Sequence, residues 1–273
     1  MAGLTRQELW IPHGVQTMYA LTMGAGPAVL LVHGFGGAAE SWYFNTEPLS
    51  ARFQVVAVDL PGFGRSSTQV QEPVLDYFVS GLLTVLEHLR IPTCHVVGNS
   101  MGGAVALRMA QLHSQRVEKL VLVDPVGLGA DISGGFLRDL IAASTAEQVR
   151  AVLTQVFHDP VWVSDQAVER ILRYKARPGA QQVLSQVGAA LFDGERSRMD
   201  FREHLSRISH PTLVLWGRQD RVIPPAHAEA ASAMPRAQVH LIDACGHLPQ
   251  MEAQEPFHAL VSAFLNAGDS SPA

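Results

Sequence analysis

The chain has 273 residues, of which 47% are hydrophobic and 16% charged, with 20 Lys and Arg against 25 Asp and Glu. An ordinary soluble domain is about 25% charged, so this composition implies a large buried core and excludes disorder. A net charge of −5 without a basic run speaks against nucleic acid, two cysteines against a disulfide scaffold, and apolar bursts far below the ~18 residues of a membrane helix against a membrane partner. Residues 1–10 lack a basic segment followed by an apolar one, so a cytoplasmic protein is expected. Among the basic residues only Lys119 and Lys175 are lysines, an imbalance that genomic base composition accounts for.

In chain order, two weak β-type runs at 8–11 and 17–21 flank Pro12-His13-Gly14 and predict an antiparallel hairpin at a sheet edge. Nearly continuous apolar runs follow at 28–32, 53–58, 95–97, 120–123, 212–216 and 239–242, each ending in a turn signal. Continuous rather than alternating apolar character predicts strands covered on both faces, hence a mostly parallel sheet, eight-stranded with the hairpin. Between them, 75–89 carries Leu75, Phe78, Val79, Leu82, Leu83, Leu86 and Leu89 at helical spacing, and 102–112 is small and apolar. Strands alternating with helices predict an α/β architecture.

The alternation fails between 127 and 209, where no strand-like run occurs. Consecutive helices are expected there at about 136–143, 147–156, 165–174 and 181–191, with Thr145 and Gln148 at capping-box spacing. The expected organisation is a core built from 1–126 and 210–273, interrupted by a helical cap at 127–209. Residues 268–273 read as a frayed tail.

The sharpest chemical signal is Gly98-Asn99-Ser100-Met101-Gly102-Gly103. Gly-x-Ser-x-Gly alone is weakly diagnostic. Between a buried strand and a helix it predicts a sharp turn that projects the Ser100 hydroxyl above the sheet edge as a nucleophile, against the plainer role of a helix N-cap. A serine nucleophile needs a base, and His247 follows the last strand in Asp243-Ala244-Cys245-Gly246-His247. Asp220, after the preceding strand, is the favoured carboxylate to orient His247, with Asp124 and Asp243 as competitors. His33-Gly34-Phe35-Gly36-Gly37 follows the first long strand, so the backbone N–H groups of Phe35 and Met101 are expected to form an oxyanion hole. Trp42, Gly34 and Asn99 are candidate substrate contacts, with Trp42 equally readable as core. Gly62-Phe63-Gly64-Arg65-Ser66 lacks a third glycine and a following helix, so 59–66 is a turn rather than a dinucleotide site. His204, His210, Cys94 and Cys245 lack metal-ligand spacing. Cys245 reads as a buried reduced thiol. No cofactor or metal is expected, and the expected partner is a small acyl substrate.

Through 33–37, 59–66, 98–103, Asp220 and Gly246-His247, the sequence resembles the α/β-hydrolase superfamily over essentially its whole length. That resemblance implies the α/β-hydrolase fold and hydrolysis of esters, thioesters or lactones by Ser100, His247 and Asp220. The elbow is also similar to that of meta-cleavage-product hydrolases, which cut carbon–carbon bonds. Those enzymes usually have Trp where this chain has Leu248, and a Ser-Gly-Pro-Gly-like loop where it has 33–37. In that alternative a cap-side Arg such as Arg196 or Arg198 would bind the substrate carboxylate. Segments 35–45, 159–191 and 246–252 resemble the hydrolase-like portion of acetoin dehydrogenase acyltransferase components. Such components carry a lipoyl-lysine domain before that portion, and neither Lys119 nor Lys175 lies in one, so a swinging-arm acyltransferase is not expected.

Overall fold

A computed structural model describes residues 6–268; the segment 269–273, most of the expected tail, lies outside the described residues. Eight strands form one sheet: β1 Gln7–His13, β2 Gln16–Met23, β3 Ala28–Val32, β4 Gln54–Asp59, β5 Cys94–Asn99, β6 Val117–Val123, and, after the two-residue strands β7 Phe192–Asp193 and β8 Arg196–Ser197, β9 Thr212–Gly217 and β10 Ala237–Ile242. Their spatial order is β1-β2-β4-β3-β5-β6-β9-β10. β2 pairs antiparallel with both β1 and β4, and every other pairing in the sheet is parallel. The predicted edge hairpin and mostly parallel α/β-hydrolase sheet are therefore present.

Period-two geometry explains why the central strands read as continuous apolar runs. Leu30 and Val32 of β3, with Val56 and Val58 of β4, pack into one core. Val29 and Leu31, with Val55 and Ala57, pack into the other. The larger core takes in α2 Val74–His88 and α3 Met101–Leu112; the smaller takes in α1 Tyr43–Ser50 and α9 Gln254–Asn266, with the short α8 Pro249–Glu252 ahead of α9. β10 departs from expectation. As an edge strand it leaves Val239 and Leu241 exposed and is not covered on both faces.

Between β6 and β9 four helices pack in sequence, α4 Gly134–Ala142, α5 Ala146–Val156, α6 Asp165–Lys175 and α7 Ala180–Leu191. Ser133, Thr145 and Ser164 cap the first three through their hydroxyls, and Thr145 with Gln148 forms the predicted capping box. The expectation of no strand here is corrected by β7 and β8, which pair as a small antiparallel hairpin. Both lysines serve helix ends. Lys119 Nζ donates to the carbonyls of Phe264, Leu265 and Ala267 at the end of α9. Lys175 Nζ donates to Leu140 and Ile141 at the end of α4, at 2.6 and 2.8 Å. Among the described residues no helix is long and apolar enough to cross a membrane.

Sheet order also locates the site. The chain leaves β4 on one side of β3 and re-enters at β5 on the other. A crevice opens where strand order reverses, at the carboxyl ends of β3 and β5. The segments 33–37 and 98–103 lie at those two strand ends.

Candidate active site

Ser100 joins β5 directly to α3 with φ 56° and ψ −120°, a left-handed conformation that costs an L-residue of order 1–3 kcal/mol. Three hydrogen bonds lock it: its N–H donates to Val123 O at 2.9 Å, and its carbonyl accepts from Gly103 N and Val126 N. The turn is so tight that a Cβ on Gly98 would overlap the Gly102 carbonyl. The Ser100 hydroxyl makes no capping bond to α3, so the N-cap role does not hold. It faces a cavity of about 250 Å³ that is also lined by His247, Gly34, Phe35 and Asn99.

His247 Nδ1 pairs with Asp220 Oδ2 at 2.8 Å, and both side chains are buried. Asp220 is held as an acceptor: Oδ1 takes Val222 N at 2.7 Å and Ile223 N at 3.1 Å, while Oδ2 also takes Trp216 Nε1 at 3.2 Å. With Asp220 accepting, Nδ1 is the donor and Nε2 is left as the basic nitrogen. Of the two competing carboxylates, Asp243 is exposed and paired with Arg218. Asp124 is buried, its Oδ1 accepts from Gly217 N at 2.9 Å, and its carboxyl is held well above the ordinary carboxylate range by burial and then by the charge of Asp220. Asp124, Asp220 and His247 offer oxygen and nitrogen atoms within 4.8 Å of one another, the one such group of potential metal ligands among the described residues. Most of those atoms are already engaged in the hydrogen bonds above, which suits a paired imidazole and carboxylate better than an ion.

The loop after β3 is fixed by buried groups on both sides. His33 Nδ1–H donates to Gly34 O at 2.7 Å and its Nε2 accepts from Leu60 N at 3.0 Å, while burial pushes its pKa down to about 4. Asp59 accepts from Ala39 N and Arg65 N, each at 2.6 Å, and burial raises its carboxyl to about 6. The turn 59–66 thus borders the cavity as well as bracing the loop. Gly34 lies against the elbow, where an added Cβ would meet Ser100 Cβ at 3.0 Å. Met101 is the first residue of α3, where the N–H has no acceptor within the helix.

One expected contact is corrected. Trp42 does not line the cavity; it is fully buried in the smaller core beside Phe257, because the turn at 39–42 points it to the opposite face of the sheet. Asn99 borders the cavity as expected, and its Nδ2 donates to Val123 O at 3.1 Å and His247 O at 3.2 Å, which ties the elbow to the histidine loop. Arg196 and Arg198 are also displaced from their expected role. They sit exposed at the β7–β8 hairpin, paired with Asp131 and Asp193. The arginines that line the cavity are Arg65, Arg170, Arg173 and Arg177. Arg170 is half-buried and makes no hydrogen bond or salt bridge among the described residues, and burial lowers its pKa. Apolar side chains from α4 to α6, among them Leu140, Leu153 and Ile171, form the opposite wall with Leu248. Cys245 is buried and burial raises its thiol pKa, as an inert thiol requires.

The sequence profile of the alpha/beta hydrolase fold family matches residues 27–254. Across 240 residues the chain is 40% identical to the dihydrolipoyllysine-residue acetyltransferase component of the acetoin cleaving system of Pseudomonas putida, covering 88% of this chain and 64% of that protein. The chain thus spans less than two thirds of that relative. It is 34% identical over 261 residues to a 2-hydroxy-6-oxo-2,4-heptadienoate hydrolase of Pseudomonas putida, covering 90% and 92% of the two chains. Among solved structures, the 2-hydroxy-6-oxo-6-phenylhexa-2,4-dienoate hydrolase from Rhodococcus sp. strain RHA1 superposes with a TM-score of 0.87 at 26% identity, covering 97% of this chain and 100% of that one.

Proposed function

The chain belongs to the alpha/beta hydrolase fold family, and from that premise we propose that it is a serine hydrolase of small carboxylic esters, thioesters or lactones. The observation that carries this reading is the Ser100 elbow, free of any capping bond, on the same cavity as a His247 paired with Asp220. His247 Nε2 takes the Ser100 proton as Oγ attacks the carbonyl carbon. The N–H groups of Phe35 and Met101 receive the oxyanion, each worth about 2.7–4 kcal/mol in the transition state. Collapse expels the alcohol with the proton returned from His247, and water activated by the same ring then releases the acid. Residues 127–209 act as a cap whose apolar wall holds the acyl group. This chemistry needs no cofactor or metal.

The test is Ser100→Ala. It should abolish hydrolysis of p-nitrophenyl acetate and labelling by a fluorophosphonate, with the circular dichroism unchanged. Undiminished turnover would overturn the assignment.

One observation favours a second reading, hydrolysis of a carbon–carbon bond in a meta-cleavage-type diketone. Among the described residues Arg170 lines the cavity with no hydrogen bond or salt bridge, and Glu40 on the same cavity is the charge that acts on it, which leaves its guanidinium open to a substrate carboxylate. Relatives named for such substrates align over 90% of the chain. Against it, Leu248 lines the cavity where those enzymes usually have Trp. Turnover of esters with no turnover of a 2-hydroxy-6-oxo-dienoate removes this reading. If the dienoate is turned over, Arg170→Gln should raise its KM and leave that of a neutral ester unchanged. Acyl transfer differs only in the acceptor, and product analysis with an added alcohol or thiol separates it from hydrolysis.

A further inference from the structure

Asp124 is the one buried carboxyl beside the triad that the mechanism leaves unused. Its Oδ1 accepts from Gly217 N, whereas Oδ2 is fully buried and receives no N–H donor, and the carboxyl lies against that of Asp220. It stands at the end of β6 with φ 44°, which turns the side chain back toward the β9 loop that carries Asp220. Oxygens of Asp124 and Asp220 and a ring nitrogen of His247 lie within 4.8 Å of one another. Closing that gap to the 2.8 Å of the present Asp220–His247 bond needs a shift of no more than about 2 Å. Two ionised carboxylates at this separation, out of water, repel strongly.

We infer that Asp124 and Asp220 carry a single negative charge between them, with the proton on Asp124, and that Asp124 is a reserve acid able to orient His247 when Asp220 is removed. Asp220 holds the charge because four N–H donors point at it, while Asp124 has one. The upward shift of the Asp124 carboxyl agrees with this division. Among the described residues, the titratable groups that face Asp124 are Asp220 on the β9 loop, Glu252 of α8, and Cys245 and His247 on the loop after β10, with no Lys or Arg among them. Deleting Asp220 therefore takes away the main charge that keeps Asp124 neutral. Asp124 then loses its proton to solvent, and its carboxylate accepts from His247 Nδ1–H.

The inference rests on the triad reading, and a double-mutant cycle separates the two. Kinetics with p-nitrophenyl acetate and the rate of fluorophosphonate labelling are measured for Asp124→Asn, Asp220→Asn and the double variant, with Ser100→Ala as control. Asn at 124 keeps an acceptor for Gly217 N–H, tolerates the positive φ, and copies a neutral acid, so kcat/KM should stay within about threefold of the parent. A triad without a second acid loses about 10⁴-fold in kcat when its aspartate becomes asparagine. Asp220→Asn should lose only about 10- to 100-fold, and the double variant should fall the rest of the way. Because the buried Asp124 ionises at higher pH than a solvated carboxylate, the acid limb of kcat/KM in Asp220→Asn should move to higher pH. Asp220→Ala, with and without Asp124→Asn, repeats the comparison without an amide facing His247. Equal activities of the single Asp220 variants and their doubles would overturn the reserve role while leaving the triad standing. Full activity of Ser100→Ala would instead overturn the triad.

Discussion

The backbone N–H of His247 donates to the carbonyl of Val156, 2.8 Å away at the end of α5. Glu252 reinforces this link, accepting from Gly246 N at 2.9 Å and His158 N at 2.7 Å, and Arg221 donates to Phe157 O at 2.7 Å. The loops carrying His247 and Asp220 are therefore fastened to the segment 156–158. A Cβ on Gly246 would sit 2.5 Å from Val156 O and 2.7 Å from His158 N. Gly246→Ala should push that segment off the histidine loop, lowering kcat about tenfold or more and costing about 1–3 kcal/mol of stability. Steady-state kinetics and urea denaturation read both effects, and an unchanged kcat would show that the fastening is dispensable.

Gly34→Ala addresses the other side of the site. The added methyl would meet Ser100 Cβ at 3.0 Å and Asn99 O at 3.4 Å, tight enough to displace the loop that carries Phe35 N–H. If Phe35 N–H serves as proposed, loss of one oxyanion donor sets a ceiling of about 10²- to 10³-fold on the fall in kcat. The expected loss lies within that ceiling, with KM and thermal midpoint little altered. A large fall in thermal midpoint with kcat intact would instead mark Gly34 as a packing residue alone.

Trp42→Phe should leave KM for every substrate within about twofold of the parent. Its ring lies in the smaller core and its Nε1 has no hydrogen-bond partner, so the substitution removes an unsatisfied donor along with some packing. A stability loss of about 1–2 kcal/mol is expected, below that of an ordinary large-to-small core change. A selective rise in KM for larger acyl chains would contradict the placement of this side chain.

His33 and Asp59 make opposed contributions to stability on acidification. Folding lowers the His33 pKa from 6.5 to about 4, so its contribution is complete above pH 6.5 and is lost as pH falls toward 4. Folding raises the Asp59 pKa from 3.8 to about 6, so its contribution is complete below pH 3.8 and is lost as pH rises through 6. Each amounts to at most about 3 kcal/mol, and between pH 4 and 6 they largely cancel. In His33→Gln only the Asp59 contribution remains. The stability deficit of this variant relative to the parent, measured by urea denaturation, should therefore shrink as pH is lowered from 7 to 4.5. A constant deficit would mean that His33 titrates normally.

What the sequence revealed depended on how local the determining physics was. The strands at 28–32 and 53–58 were legible because both faces are buried and every position must be apolar. At β10 the same reasoning failed, since an apolar run does not disclose that its strand lies at an edge. The β7–β8 hairpin was invisible because two-residue strands carry no period. The elbow was legible because its residues are contiguous in sequence, although only Gly98 is required by a contact inside the motif; Gly102 lies against the Val32 carbonyl and Gly103 against Pro125. By contrast, Trp42 follows the Phe35 loop closely in sequence, yet the turn at 39–42 decides which face of the sheet it enters. Sequence does not single out Arg170 over Arg196 and Arg198, because the packing of α6 over the cavity is a tertiary outcome. Glu252 was missed because its partner His158 lies 94 residues away.

The two lysines acquire a meaning that composition alone did not supply. Each directs one ammonium at neighbouring carbonyls of a single helix end, Lys119 at α9 and Lys175 at α4. An ammonium can converge its three donors on clustered oxygens, whereas the flat fork of a guanidinium diverges. Both lysine amines are thus already occupied in the folded protein. Amine-directed chemistry, whether a dye, a crosslinker or an immobilising resin, would have to undo a helix terminus to reach them, and attachment by that route would loosen the molecule it was meant to hold.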